Sequence, residues 1–207
     1  MWEDLNTEWK KCFSLAWQSY CHCNNPVGAV ITNTKGNIIA MNRNGGKTIF
    51  PKRMSHAEIN VISNLNSYID MENLTLYSTL EPCVMCFSTI YVQKIKRIRF
   101  GCIDPHAGGT YLYKSSSYFS LREIDIKQYD NLEFQFVNAL INIVYEMNNM
   151  KSRDLLVYLD EWEKRFPSLT KIANVIFQNN RLKSYSIESD VKLVYNYIAL
   201  IVKQYLL

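Results

Sequence analysis

The chain carries His56-Ala57-Glu58 and, further on, Pro82-Cys83-Val84-Met85-Cys86. Together these segments supply an imidazole, a carboxylate and two thiols. An imidazole nitrogen and two thiolates are the donors that a borderline-soft cation such as zinc prefers. Three protein ligands leave one tetrahedral position open to water, which is the pattern of a catalytic zinc. A structural zinc would need a fourth protein ligand. Glu58 stands two residues beyond His56, close enough to touch that water without binding the metal. The expected ligands are therefore His56, Cys83 and Cys86, and the expected acid–base group is Glu58.

These groups need elements to hold them. The pattern predicts a helix from His56 to about Asn66 with Ser55 as N-cap. A second helix is expected from Cys83 to about Gln93, with Pro82 at its opening. Helix N-termini favour thiolate, the form that binds metal. In C-x-x-C, one helical turn brings both sulfurs to one side. The interval between His56 and Cys83 leaves room for a helix and a strand, Leu74 to Ser78. Upstream, Trp2, Leu5, Trp9, Phe13, Ala16 and Tyr20 recur at helical spacing. Val27 to Thr32 and Asn37 to Met41 read as strands joined by the turn Asn33-Thr34-Lys35-Gly36. Arg97 to Gly101 and Glu123 to Lys127 read as further strands, and Leu132 to Met147 as a long apolar-faced helix. Three more helices are expected near 153–165, 168–179 and 189–206. Strands alternating with helices imply an α/β sandwich.

The order H-x-E then P-C-x-x-C is the pattern of zinc nucleobase deaminases. The segment Thr79 to Cys86 resembles the second zinc motif of the cytidine deaminase-like superfamily. It is most similar to the branch of tRNA adenosine, nucleoside and guanine deaminases. Asn25-Pro26-Val27-Gly28-Ala29-Val30 resembles that branch's first core strand, and Asn42-Arg43 its substrate-contacting pair. Ile98-Arg99-Phe100-Gly101 resembles the strand after the cysteine helix, and Arg122 to Ile126 the last strand. The resemblance implies a three-layer α/β/α sandwich, a deaminase domain at 1–150, a helical C-terminal extension at 151–207, and a homodimer. It implies a zinc-activated water that attacks the ring carbon bearing the exocyclic amine, with Glu58 carrying the protons. Substrate contacts are implied at Asn42, Ala57 and His106. The expected function is hydrolytic deamination of a nucleobase, nucleoside or nucleotide. The alternatives are a tRNA adenosine-to-inosine deaminase and an inactive zinc-containing binding module.

Two loops depart from the tRNA enzymes: Phe50-Pro51-Lys52-Arg53-Met54-Ser55 and Asp104-Pro105-His106-Ala107-Gly108-Gly109. Residues beyond about 150 have no counterpart. These differences bear on the choice of substrate more than on the chemistry.

Other features have a plainer reading beside the functional one. Ser55-x-x-Glu58 is also a capping box, in which Glu58 would only close a helix end. Cys21-His22-Cys23 offers further ligands, but neighbours in extended chain point apart. Lys94, Lys96, Arg97 and Arg99 could meet phosphate or simply be solvated. Trp2, Trp9, Phe13 and Trp17 read as core or subunit interface.

Composition sets limits. A chain of 207 residues can bury one core with an appendage. With 48% hydrophobic residues it is not disordered. Net charge is +4, compatible with a phosphate-bearing substrate but weak as a nucleic-acid footprint. Six cysteines at this length are no disulfide scaffold, and thiolate ligands suit a reducing cytoplasm. Met1-Trp2-Glu3-Asp4 lacks the basic start of a signal peptide. Asp190, Lys192, Asn196 and Lys203 interrupt the last helix, so no membrane span is expected.

Overall fold

The computed structural model describes residues 1–48, 51–66, 68–185, 187 and 191–205. Five strands form one sheet in the order β2-β1-β3-β4-β5. They are β1 Gly28–Thr32, β2 Ile38–Arg43, β3 Thr75–Leu80, β4 Arg97–Cys102 and β5 Asp125–Gln128. β1 is antiparallel to both β2 and β3, whereas β3, β4 and β5 run parallel. The β1–β2 hairpin turns at Asn33, whose side-chain oxygen accepts from the N–H groups of Lys35 and Asn37. Gly36 supplies the positive φ, 78°.

Every residue of β1 is buried, because helices cover both faces of this central strand. The two core clusters follow the pleat. Val30 faces one side with Trp9, Phe13 and Phe134; Ala29 and Ile31 face the other with Val61, Phe87 and Ile90. The first side is covered by α1 (Thr7–Cys21) and α5 (Leu132–Asn149), the second by α2 (Ala57–Ser63) and α3 (Val84–Val92). The expected three-layer α/β/α sandwich is therefore present. α1 lies directly on β1 at Gly28, where a Cβ would fall 2.2 Å from the Cys12 carbonyl oxygen.

The C-terminal helices add to the first side. α6 (Ser152–Arg165), α7 (Leu169–Gln178) and α8 (Val191–Tyr205) follow α5, and α7 and α8 pack against it. α5 is in consequence buried nearly all round, from Phe134 through Glu146. Tyr195 of α8 meets Phe13 edge-on at 5.1 Å, so the extension shares the core of the sandwich. Residues 189, 190 and 206 of the expected last helix lie outside the described residues, as does Phe50 of the loop noted above. Among the described residues no helix is long and apolar enough to cross a membrane.

The structure corrects several local expectations. The N-terminal stripe is not one helix: Trp2–Asp4 is a 3-10 turn, Leu5 is extended, and Asn6 caps α1. α2 ends at Ser63 rather than near Asn66. A short α4 (Ser117–Ser120), capped by the Ser116 hydroxyl, was not foreseen. The stripe itself is core: Trp9, Phe13 and Trp17 are at most 3% exposed.

Candidate active site

His56 is the N-cap of α2 and Cys83 the N-cap of α3, both in extended backbone. Cys86 follows within the first turn of α3 and is fully buried. β3 leads into Cys83 and β1 lies between β2 and β3, so the sheet sets the separation of the two helix starts. His56 Nδ1 lies 3.5 Å from Cys83 Sγ and 3.4 Å from Cys86 Sγ. All three ligand atoms fall within 4.8 Å of one another. A tetrahedral zinc with its usual bond lengths requires nitrogen–sulfur separations of about 3.6 Å, so the donors fit that ion. Within the cluster the Cys83 thiol is held down to about 4, first by the hydrogen bond with Cys86 and then by His56.

Ser55 does not cap α2. Its hydroxyl donates to Asn60 Oδ1 at 2.9 Å, and His56 takes the capping position. Glu58 forms no capping box either. Its Oε1 accepts from Ser78 Oγ of β3 at 3.0 Å, and its Oε2 lies 3.4 Å from Cys86 Sγ. The carboxylate is 3% exposed, and burial raises its pKa. A buried carboxylate turned toward a metal cluster, and not toward its own helix end, is placed to move protons.

His56, Glu58 and Cys83 line a cavity of about 630 Å³. Glu81, Asp104 and Ala107 line it as well, as do Asn25, Asn44, Lys47, Lys52 and Arg53. Glu81 holds the 104–110 loop together: its oxygens accept from the N–H groups of Asp104 and Thr110, each at 3.2 Å. The loop closes against the start of α3 at Gly109 and against Glu81 at Gly108 because neither carries a side chain. A Cβ on Gly109 would lie 2.4 Å from the Val84 nitrogen. A larger cavity, about 830 Å³, lies between the ends of α1 and α5 beside Leu182, Tyr185 and Ile187. It contains none of the clustered ligands, so volume alone does not mark the reactive site.

The other expected residues fall differently. Ala57, expected as a substrate contact, is the fully buried first residue of α2 and is not among the residues lining the cavity; helix geometry leaves its N–H without an intrahelical partner. Asn42 does not line the cavity; its side chain accepts from the Arg43 N–H at 2.8 Å. Asn44, two residues on, does line it. His106 also stays outside. It is exposed, pairs with Glu161 of α6 and stands edge-on to Tyr158 at 5.3 Å. Among the described residues the only triad of potential metal ligands is His56, Cys83 and Cys86, so Cys21-His22-Cys23 adds none. The basic run lies at the opposite end of the parallel strands from Cys83. There Lys96 pairs with Glu72 at 2.6 Å, Arg97 donates to Thr75, and Arg99 pairs with Asp125. Sequence reasoning missed Asn25, Asn44, Lys47, Glu81 and Asp104. Glu81 and Lys52-Arg53 adjoin the zinc motifs, and that adjacency was the available signal.

The sandwich thus sets a His/Cys/Cys cluster at two helix starts, the donor set of a zinc site with one position left open. Residues 3–102 match the cytidine and deoxycytidylate deaminase zinc-binding region, just under half of the chain. Among its relatives, the tRNA-specific adenosine deaminase of Bacillus subtilis is 36% identical over 86 residues, covering 40% of this chain and 52% of that protein. The protein of the same description from Haemophilus influenzae is 40% identical over 87 residues, covering 40% and 49%. The chain thus spans about half the length of the curated relatives it matches. A solved tRNA:A34 deaminase aligns at 25% identity with a TM-score of 0.51, over 59% of this chain and 96% of that one. The guanine deaminase of Nitrosomonas europaea shares the fold, with a TM-score of 0.55 at 14% identity, over 68% and 83%.

Proposed function

We propose that this chain is a zinc-dependent hydrolase that deaminates a nucleobase, nucleoside or nucleotide and releases ammonia. The observation that carries this reading is Glu58. It is buried, braced by Ser78, and set beside the His56–Cys83–Cys86 cluster in the lining of an open cavity. A zinc ion held by those three residues would supply an acidified water, with a pKa of about 7. Glu58 takes the proton of the attacking water, delivers it to the ring nitrogen, and helps protonate the departing ammonia. The Ala57 N–H, at the first position of α2 beside His56, would donate to the ring substituent. Glu81 braces the 104–110 loop beside the cavity by accepting from the Asp104 and Thr110 N–H groups. The binding-module alternative loses support, because a buried carboxylate beside the metal serves no binding purpose and is costly to bury.

A second reading, a tRNA adenosine deaminase, is favoured by the relatives of that description at 36% and 40% identity. The division into a deaminase domain at 1–150 and a helical extension at 151–207 belongs to the same proposal. So does a homodimer, for which the exposed apolar side chains Val84 and Val92 on α3, and Tyr118 and Leu121, offer surface. Six unbridged cysteines support a cytoplasmic location. The test is ammonia release by the purified, zinc-loaded chain from cytosine, adenine and guanine bases, nucleosides and nucleotides, with a tRNA transcript alongside. Turnover of a small molecule upholds the first reading, and turnover of the tRNA alone upholds the second. A zinc-bound protein that turns over nothing sinks both.

A further inference from the structure

Three cations, Lys47, Lys52 and Arg53, line the same cavity as His56 and Glu58. Elsewhere the chain matches many of its cations with carboxylates: Lys96 with Glu72, Arg99 with Asp125, Lys164 with Asp160. None of the three cavity cations makes an ion pair among the described residues. Lys47 is held by neutral groups. Its ammonium donates to Asn149 Oδ1 at 2.6 Å and sits 5.0 Å from the Tyr145 ring centre. Those partners are neutral and fix the charge in place, and the Glu146 carboxyl lies close enough to feel it. The side chains of Lys52 and Arg53 make no hydrogen bond or ion pair among the described residues. Arg53 also has a positive φ, 69°, and its N–H donates to the Gly46 carbonyl at 3.0 Å.

The cavity lining therefore combines two of the metal-ligating residues and the carboxyl groups of Glu58, Glu81 and Asp104 with three cations, of which Lys52 and Arg53 have no ion-pair partner among the described residues. An uncharged base or nucleoside leaves those charges unmet. A phosphate ester satisfies them, because its oxygens accept charge-assisted hydrogen bonds from lysine and arginine. We propose that Lys47, Lys52 and Arg53 form a phosphate-binding subsite, and that the substrate is a phosphate-bearing nucleotide rather than a free base or nucleoside. The placement of the base beside Glu58 rests on the deaminase reading given above. The phosphate belongs either to a free nucleoside monophosphate or to a nucleotide within an RNA strand, and the subsite chemistry is the same for both.

The test measures binding by calorimetry on the zinc-loaded full chain at low salt. The probes are adenosine, cytidine and guanosine, their 5′-monophosphates, and a short single-stranded RNA. At least one phosphate-bearing probe is expected to bind about tenfold or more tightly than its nucleoside. The advantage should shrink with added salt and fall about tenfold in the Lys52→Gln/Arg53→Gln double variant. Both side chains are exposed, so an unchanged thermal midpoint should show that the variant folds. Lys96→Gln, at the far end of the sheet, should leave the advantage intact. An advantage confined to RNA assigns the phosphate to a strand, and one shared by a monophosphate assigns it to the free nucleotide. The proposal is overturned if nucleosides bind as well as phosphate-bearing probes, if the advantage survives in the double variant, or if no phosphate-bearing probe binds. Ammonia release in the same samples separates the two claims. Phosphate-dependent binding without turnover overturns the deaminase reading and leaves the subsite. Nucleoside turnover indifferent to phosphate does the reverse.

Discussion

Glu58→Gln isolates the chemical role of one atom pair. The side chain keeps its volume, so no cavity opens. Its amide oxygen can still accept from Ser78 Oγ, now 3.0 Å from Glu58 Oε1. The Glu58 site is 3% exposed, and burial disfavours the charged form there, so a neutral isostere costs little stability. The retained hydrogen bond bounds that cost at roughly 1 kcal/mol. The three metal ligands are untouched, so zinc content should not change. What is lost is proton transfer to and from the reacting groups, which contributes about 100- to 10,000-fold to rate. That corresponds to about 3–5 kcal/mol of barrier. The assay is ammonia release at saturating substrate, with zinc content and thermal midpoint measured on the same preparation. Glu58→Ala serves as a contrast. It strands the Ser78 hydroxyl and opens a void, so it should cost about 1–3 kcal/mol of stability as well as activity. A zinc-loaded Glu58→Gln protein that turns over within a few-fold of wild type would falsify the proton-carrier role. Loss of zinc in that variant would show that Glu58 serves the metal instead.

Gly28→Ala should destabilise the fold by at least about 1–3 kcal/mol, because the new Cβ meets the α1 backbone at Cys12 and helix and strand must part. An unchanged thermal midpoint would contradict the close packing of α1 on β1. Removing metal with a strong chelator should abolish ammonia release and lower the thermal midpoint, and added zinc should restore both; full turnover by metal-free protein would refute zinc dependence. Glu146 has its pKa raised, first by burial, while its Oε1 accepts from Asn25 Nδ2 at 2.6 Å. A carboxyl with a raised folded pKa penalises the fold when ionised, and the penalty is relieved as pH falls through that raised value toward the ordinary carboxylate range. Glu146→Gln should therefore be more stable than wild type at pH 7, with the difference fading below about pH 4. Denaturant unfolding across pH checks this, and a variant less stable at pH 7 would reverse the sign.

The metal site was legible in the chain because its geometry is local. His56 and Glu58 sit two residues apart at one helix start, and Cys83 and Cys86 one turn apart at another, so spacing alone aims their side chains. The strands were legible for a similar reason: alternation shows which residues can share a face, and the two clusters around Val30 and Ile31 follow it. Capping was misread, since Ser55 and Glu58 have the right types for a box but find stronger partners in Asn60 and Ser78. Ser78 lies on a strand that local reasoning cannot bring beside α2.

The composition of the cavity and the cover of α5 were decided by tertiary structure. Asn44 enters the cavity and Asn42 does not, and Lys47 is steered by Tyr145 and Asn149 from a helix a hundred residues away in the chain. His106 turns to α6 because Glu161 and Tyr158 stand there. The apolar faces of α7 and α8 required a partner, and folding supplied α5. Residue types and spacing determine what chemistry a chain can hold, because covalent geometry fixes near neighbours. Which charges meet the substrate depends on loops and helices distant in sequence, and only packing of the whole chain brings those together.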